Sequence, residues 1–270
     1  MPIHTARNER IFEITIDRPE ARNSLDLAHF GALARAWESF RDDDDLWVAI
    51  VTGVDDVFCV GADLKTFVPA ITEAVDEMAA KRAAGADELE VPATAAMTAV
   101  LREFPLYKPV IAAVNGICAA GGMEMLLGTD LRIAAEEATF RVTEARRGLF
   151  PGGGTTVRLP RQIPFARAME VLLMCDPMPA AEAAEYGIVN KVVARDEVMD
   201  TARAYAEVVM KNAPLAIRHT KESVLTGLRL PLEEAFEQEL MHAAAVFGTE
   251  DAREGLKAFA EKREPRWQGR

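Results

Sequence analysis

Positive charge is scarce in this chain: 31 lysines and arginines stand against 43 aspartates and glutamates in 270 residues, a formal net charge of −12. That balance excludes broad binding to nucleic acid or to an anionic membrane surface and leaves room only for a local basic patch. Cysteine is scarce too. Cys59, Cys118 and Cys175 are widely separated with no Cys-x-x-Cys pair, which argues against a zinc ribbon and a disulfide framework. The four histidines, His4, His29, His219 and His242, show no metal-ligand spacing, so solvated or core roles are expected and no metal site. No apolar run reads as a membrane span. The longest, Pro109 to Gly128, is interrupted by Asn115, Glu124 and several glycines, and reads as a buried strand, a loop and a helix start. The opening MPIHTARNER has no apolar run of the signal-peptide kind, from which a cytoplasmic protein is expected. Gly152, Gly153 and Gly154 suggest a phosphate loop, but no Lys-Ser or Lys-Thr follows them.

Hydrophobic residues make up 50% of the chain, so it has the means to bury a large core. Ile11 to Ile16 alternates and is β-branched, RPEARNSLD ends it, and a helix is expected from about Leu27 to Phe40. After the acidic run Asp42 to Asp45, which reads as a solvated loop, Trp47 to Thr52 forms a second buried strand. Gly53 to Asp63 reads as a loop, with Leu64 and Lys65 starting a helix. Ala70 to Glu90 is rich in Ala, Glu and Asp and reads as a helix over the surface. The strand at Val110 repeats the order of strand, small-residue loop and helix, and short strands are expected at Leu131 to Ala134 and Thr139 to Val142. From Phe165 the pattern is helical apart from Val189 to Val193. Pro214 and Pro231 each suit the first position of a helix. The last helix, from about Asp251, has an acidic first turn and ends in the basic EKREPRWQGR, as the helix dipole favours. The fold class is α/β, with a strand-bearing core over residues 1–200 and a helical segment over 201–270.

Two glutamates carry the chemistry. Glu124 lies in KPVIAAVNGICAAGGMEMLLG and Glu144 in ATFRVTEARRGLFPGGGT, each flanked by a glycine-dense turn. Two carboxyls held by separate rigid elements can share one water and act on it as acid and base. A thioester that gains or loses a proton at its α carbon passes through an enolate-like state, whose oxygen needs fixed donors. The small-residue loops at Ala62 and Gly121 are expected to open helices and so to present free backbone N–H groups.

With RPEARNSL, FCVGADLK, KPVIAAVNG followed by AAGGMEM, TEARRGLFPGGGT, LPRQIP, AAEAAEYGIVNKVV and AFAEKREP in that order, the chain resembles the crotonase (enoyl-CoA hydratase/isomerase) superfamily nearly end to end. The resemblance implies a spiral of ββα units with a helical C-terminal oligomerisation segment, assembled as a trimer or a dimer of trimers. It implies an acyl-CoA substrate, with coenzyme A as part of that substrate and no separate cofactor. It also implies catalytic roles for Glu124 and Glu144 in reversible hydration of a 2-enoyl-CoA, and oxyanion donors at Ala62 and Gly121. Arg22 and Lys65 match positions near the adenosine phosphates, and Phe259 and Lys262 match a helix that reaches a neighbouring subunit's site, although Lys262 and Arg263 can equally cap the last helix. The family's isomerases generally need only the second glutamate, so the pair favours hydration over a delta isomerase or a non-catalytic acyl-CoA binder. One departure concerns the acyl group. Hydratases of short acyl chains mostly carry Gly, Gln and Pro before the second glutamate; here stand Arg141, Val142 and Thr143, a pattern similar to members acting on carnitinyl or steroid side-chain thioesters, which implies a bulky or polar acyl group.

Overall fold

Val48 to Gly53 and Val110 to Val114 are buried along their whole lengths, as strands covered on both faces must be. In the computed structural model they are neighbours at the centre of a six-stranded sheet, and residues 3–83 and 94–270 are described. The chain begins with an antiparallel pair, β1 (Ile3–Asn8) and β2 (Ile11–Ile16). It then forms α1 (Leu27–Asp42), capped by the Asp26 carboxylate, which accepts from the His29 N–H. Three turns of like construction follow. In each, a strand of the large sheet leads through a tight corner to a short strand of a second sheet and then to a helix. The first holds β3 (Val48–Gly53), β4 (Val57–Cys59), α2 (Phe67–Ala83) and α3 (Thr94–Ala99); the second holds β5 (Val110–Val114), β6 (Ile117–Ala119) and α4 (Gly121–Leu126). The third holds β7 (Leu131–Ala135), β8 (Thr139–Arg141) and α5 (Thr155–Gln162). After α6 (Phe165–Met174), the strands β9 (Met178–Pro179) and β10 (Lys191–Val193), separated by α7 (Ala180–Glu185), complete the two sheets.

The large sheet runs β1-β2-β3-β5-β7-β10 and is parallel after its first pair; the second runs β4-β6-β8-β9 and closes with an antiparallel pair. This is the spiral of strand-strand-helix turns that the sequence motifs imply. The corner after β5 leaves no space for a side chain: a Cβ on Gly116 would collide with the Asp56 carbonyl of the preceding turn. Beside it, the buried Asn115 amide nitrogen donates to the carbonyls of Val54, Asp55 and Val57, at 3.3, 2.9 and 3.2 Å, and its oxygen accepts from the Gly53 N–H at 3.2 Å. The Asn23 amide donates to the Val54 and Val57 carbonyls as well, at 3.2 and 2.6 Å, so two side chains together satisfy the corner of the preceding turn.

The last four helices are α8 (Val198–Met210), α9 (Pro214–Gly227), α10 (Leu232–Phe247) and α11 (Glu250–Glu261). Helix α8 lies over β3, β5 and β7, with Val198, Ala202 and Ala206 buried. Helices α9 and α10 pair as a helical hairpin, and along α10 and α11 Phe236, Leu240, Phe247, Leu256 and Phe259 are exposed. The C-terminal tail returns to α11, where the buried Asp251 carboxylate accepts from the Gln268 and Gly269 N–H groups at 2.7 and 2.8 Å.

Several sequence expectations move. The opening segment is a strand: only Ile3 of β1 is buried, and pairing with β2 holds it at the sheet edge. The Gly53 to Asp63 loop contains β4, too short for its periodicity to register. The helix expected at Leu64 and Lys65 begins at Phe67, because the Asp63 carboxylate first takes the Lys65 N–H at 2.9 Å, and the Phe67 N–H then reaches the Asp63 carbonyl. Pro231 precedes α10 as its cap instead of occupying its first turn. The helix read over Ala70 to Glu90 is seen to Ala83; residues 84–90 lie outside the described residues.

Replacing Asn115 with Ala removes the donor to the Asp55 carbonyl and the acceptor of the Gly53 N–H, while Asn23 still serves Val54 and Val57. A loss of about 1–3 kcal/mol is expected, the cost of a buried unsatisfied group. Urea unfolding followed by circular dichroism checks it; a midpoint within error of the parent would show that the corner does not depend on this amide.

Candidate active site

The site forms where two successive turns of the spiral touch. Strand β6 ends at Ala119, and Ala120 adopts φ 50° and ψ −121°, a conformation unfavourable for a residue with a Cβ. It is held there from both sides: the Ala120 N–H donates to the Arg141 carbonyl at 3.0 Å and its carbonyl accepts from the Glu124 N–H at 3.0 Å. This sharp bend starts α4 directly at Gly121, whose N–H has no carbonyl partner within the helix. A Cβ on Gly121 would lie 3.1 Å from the Gly61 Cα and 3.6 Å from the Ala62 nitrogen, so the two loops are in backbone contact.

Ala62 presents its N–H by another route than the expected one. It opens no helix, since α2 starts five residues later. Instead it sits in a parallel bridge to Leu25, in which the Leu25 N–H donates to the Gly61 carbonyl and the Asp63 N–H to the Leu25 carbonyl, both at 2.8 Å. In such a bridge the flanking residues make the bonds, and the N–H of the central residue points the other way. Ala62 and Gly121 both line a cavity of about 810 Å³.

Both glutamates line the same cavity. Glu124 lies in the first turn of α4 and is buried, and burial pushes its carboxyl up to about 7; the Gly153 N–H donated to its Oε1 opposes that rise and the nearby Glu144 charge adds to it. A Cβ on Gly153 would run into this carboxylate, so a larger residue here would force the glutamate side chain to shift. The Arg158 guanidinium fixes the helix behind it, donating to the carbonyls of Glu124 and Val100, both at 3.0 Å, and of Leu101. Glu144, half-buried, follows β8 at the start of a 3₁₀ turn. Burial raises its carboxyl as well, against the backbone N–H bonds it accepts, including Thr143 N–H at 2.7 Å, and the charge of Arg147.

Arg22 and Lys65 line the cavity and are exposed, free to meet an anion at its mouth. Arg18, also lining it, is engaged with Asp63 at 2.9 Å. Phe259 and Lys262 do not line this cavity in the single chain. Phe259 is 86% exposed on α11, and Lys262 ends that helix in the left-handed conformation, φ 54°. The helix face at Val68, Ile71 and Thr72 supplies one wall.

Gly153 and Arg158 were not read from sequence as parts of the site, whereas Arg141 was read there as bearing on the acyl group. The glycine triplet offered a signal for the first. Arg158 gave none, because its partners are backbone carbonyls distant in sequence. Arg141 and Thr143 face the cavity while Val142, between them, is buried on the other side, as strand alternation dictates. The buried Arg141 Nε has no hydrogen-bond partner.

Residues 6–270 match the family described as Enoyl-CoA hydratase/isomerase. Carnitinyl-CoA dehydratase of Salmonella enteritidis is 40% identical over 274 residues, covering 99% of this chain and 98% of the relative. Among solved structures, enoyl-CoA hydratase from Mycobacterium tuberculosis H37Rv superposes with a TM-score of 0.86 at 37% identity, covering 100% of this chain and 99% of that one. Enoyl-CoA hydratase from Bacillus anthracis gives 0.87 at 34% identity with both chains fully covered, 100% and 100%. Together with the stacked ββα turns and the cavity they build, these likenesses establish that the chain belongs to the enoyl-CoA hydratase/isomerase family of the crotonase superfamily.

Proposed function

We propose that the protein is an enoyl-CoA hydratase that adds water reversibly, in the syn sense, to a 2-enoyl-CoA thioester. The observation that carries this reading is the convergence of two glutamates and two backbone donors on one cavity. The thioester oxygen accepts from the Ala62 and Gly121 N–H groups, which stabilise the charge that develops there when the double bond is attacked. A water held between Glu124 and Glu144 gives a proton to the ionised carboxylate and adds as hydroxide to the β carbon, while the neutral carboxyl delivers a proton to the α carbon. Coenzyme A enters as part of the substrate, and this chemistry needs no metal or redox group. Arg22 and Lys65 meet the phosphates at the mouth. A second reading, a carnitinyl-CoA-type dehydratase, is supported by the 40% identity to enzymes of that name; it runs the same steps toward loss of water.

The acyl group is proposed to be polar. Arg141 stands where hydratases of short acyl chains mostly carry glycine, and it lines the cavity, so its side chain brings a positive charge there that a polar acyl group would meet. The active assembly is proposed to be a homotrimer or a dimer of trimers in which α11 brings Phe259 and Lys262 to a neighbouring copy's cavity; the exposed apolar residues of α10 and α11 support it.

Glu124→Gln and Glu144→Gln are each expected to lower kcat for hydration about a hundredfold or more, read as loss of enoyl absorbance. An isomerase would keep most of its activity in Glu124→Gln, and that outcome would replace the hydratase reading. The pair needs one proton, and burial keeps one on it near neutrality. Hydration by the parent is therefore expected to decline as pH rises through about 7; a rate flat from about pH 6 to about 9 would contradict the shared-proton assignment.

Arg141→Leu is expected to lower kcat/KM about tenfold or more for a 2-enoyl-CoA bearing an oxygen beyond its β carbon, while sparing crotonyl-CoA. Equal losses on both would end the polar-acyl assignment. Light scattering of the purified protein is expected to give three or six chain masses, and a monomer would remove the shared-site proposal.

A further inference from the structure

Helices α9 and α10 bring together three side chains that the cavity does not use. His219 of α9 and His242 of α10 face each other with Nδ1 atoms 3.0 Å apart, ring centroids 5.3 Å apart and planes tilted by 59°. Glu222 lies three residues after His219, one helical turn along the same face, and one of its carboxylate oxygens is within 4.8 Å of the ring nitrogens. All three residues are half-buried. The nearby cations are already committed: Arg218 pairs with Asp44 at 3.3 Å and Lys221 with Asp130 at 2.7 Å. Among the described residues no lysine or arginine pairs with Glu222.

If both imidazoles are neutral, one must give its Nδ1–H to the other, and the Glu222 carboxylate then remains partly desolvated beside them with no cation. A divalent ion satisfies all three groups at once. Two imidazole nitrogens 3.0 Å apart can both lie about 2.0–2.1 Å from a single ion, and the carboxylate reaches it by a change of rotamer. We propose that His219, Glu222 and His242 form a divalent transition-metal site of the zinc class, which clips α9 to α10 outside the catalytic cavity. Two imidazoles and one carboxylate suit zinc better than magnesium or calcium, which prefer oxygen donors. Three protein ligands leave a fourth position for water or for a group from outside the hairpin. The sequence gives no spacing signal for this site because the two histidines are 23 residues apart on different helices and meet only when the hairpin closes.

The test uses the full-length protein, stripped with a chelator and titrated with cobalt(II) and zinc(II). One equivalent of cobalt per chain is expected, with the visible d–d bands of a four- or five-coordinate ion, displaced by zinc, and zinc is expected to raise the Tm of the parent. In His242→Ala and in Glu222→Gln the affinity is expected to weaken at least about tenfold and the zinc-dependent Tm rise to vanish. His4→Ala, on the distant sheet edge, is expected to bind as the parent does. Should His242→Ala fail to fold, Glu222→Gln, which changes one atom, carries the comparison. Absence of stoichiometric binding by the parent, or undiminished binding by the ligand variants, would overturn the site.

Discussion

Everything in this site depends on how closely two turns of the spiral approach. Gly61 and Gly121 are in backbone contact, and a Cβ on Gly61 would meet both the Gly121 nitrogen and the Ala120 Cβ at less than van der Waals distance. Only that approach allows N–H groups from two separate loops to face one cavity. The approach is enforced at the opposite end of each loop, at the corners, where Gly116 leaves room for the preceding turn and Asn115 bonds to it. The repeat that builds the core therefore also sets the spacing of the donors. A long-range pairing of this kind gains rigidity because it is a by-product of packing and not of any one loop's own preference.

The constraint has an electrostatic cost. A carboxyl whose folded-state value is raised above its unfolded value binds more protons when folded, so the stability it contributes is lost as pH rises between the two values. For Glu124, raised from 4.5 to about 7, the burden above that range is about 3 kcal/mol. Gly153 and Arg158 limit it. The N–H of the first reaches the carboxylate, and the guanidinium of the second lies behind the helix with its charge directed at the same region. They moderate the rise without cancelling it, which leaves a carboxyl able to hold or release a proton near neutral pH. Ala120 adds a second local cost, a left-handed backbone at a residue with a Cβ. Both burdens fall within four residues of each other, in a segment whose remaining positions from Gly121 to Leu126 are all buried. The surrounding core offsets them.

What the sequence makes legible follows the range of the interactions involved. Strands such as β3 and β5 announce themselves through continuous apolar runs, and α1 through its periodicity and its Asp26 cap. The two glutamates stand out because each adjoins a glycine cluster. Elements whose existence rests on pairing alone leave no such trace: β1 is nearly all exposed, and β4 is three residues long. The Ala62 N–H is a subtler instance. A small residue in a glycine loop suggests an exposed N–H at a helix start, but here the N–H is freed by a bridge to Leu25, which lies far earlier in the chain. Arg158 is invisible for the same reason, since all the oxygens it binds belong to main chain.

The same distinction separates the two ends of the molecule. In the spiral each motif spans one short strand, loop and helix start, so residues within it share one patch, and the stacking of successive turns brings two such patches together. In the α9–α10 hairpin the contacts are set by helix packing, and His219 meets His242 although nothing between them marks the encounter. Residues that meet this way are easily read as surface polar groups when taken one at a time. Brought together half-buried, a carboxylate and two imidazoles, each unremarkable alone, offer three electron-pair donors to one point in space. Geometry, with two ring nitrogens 3.0 Å apart and a carboxylate one turn away, favours an ion that can accept all three donors at once.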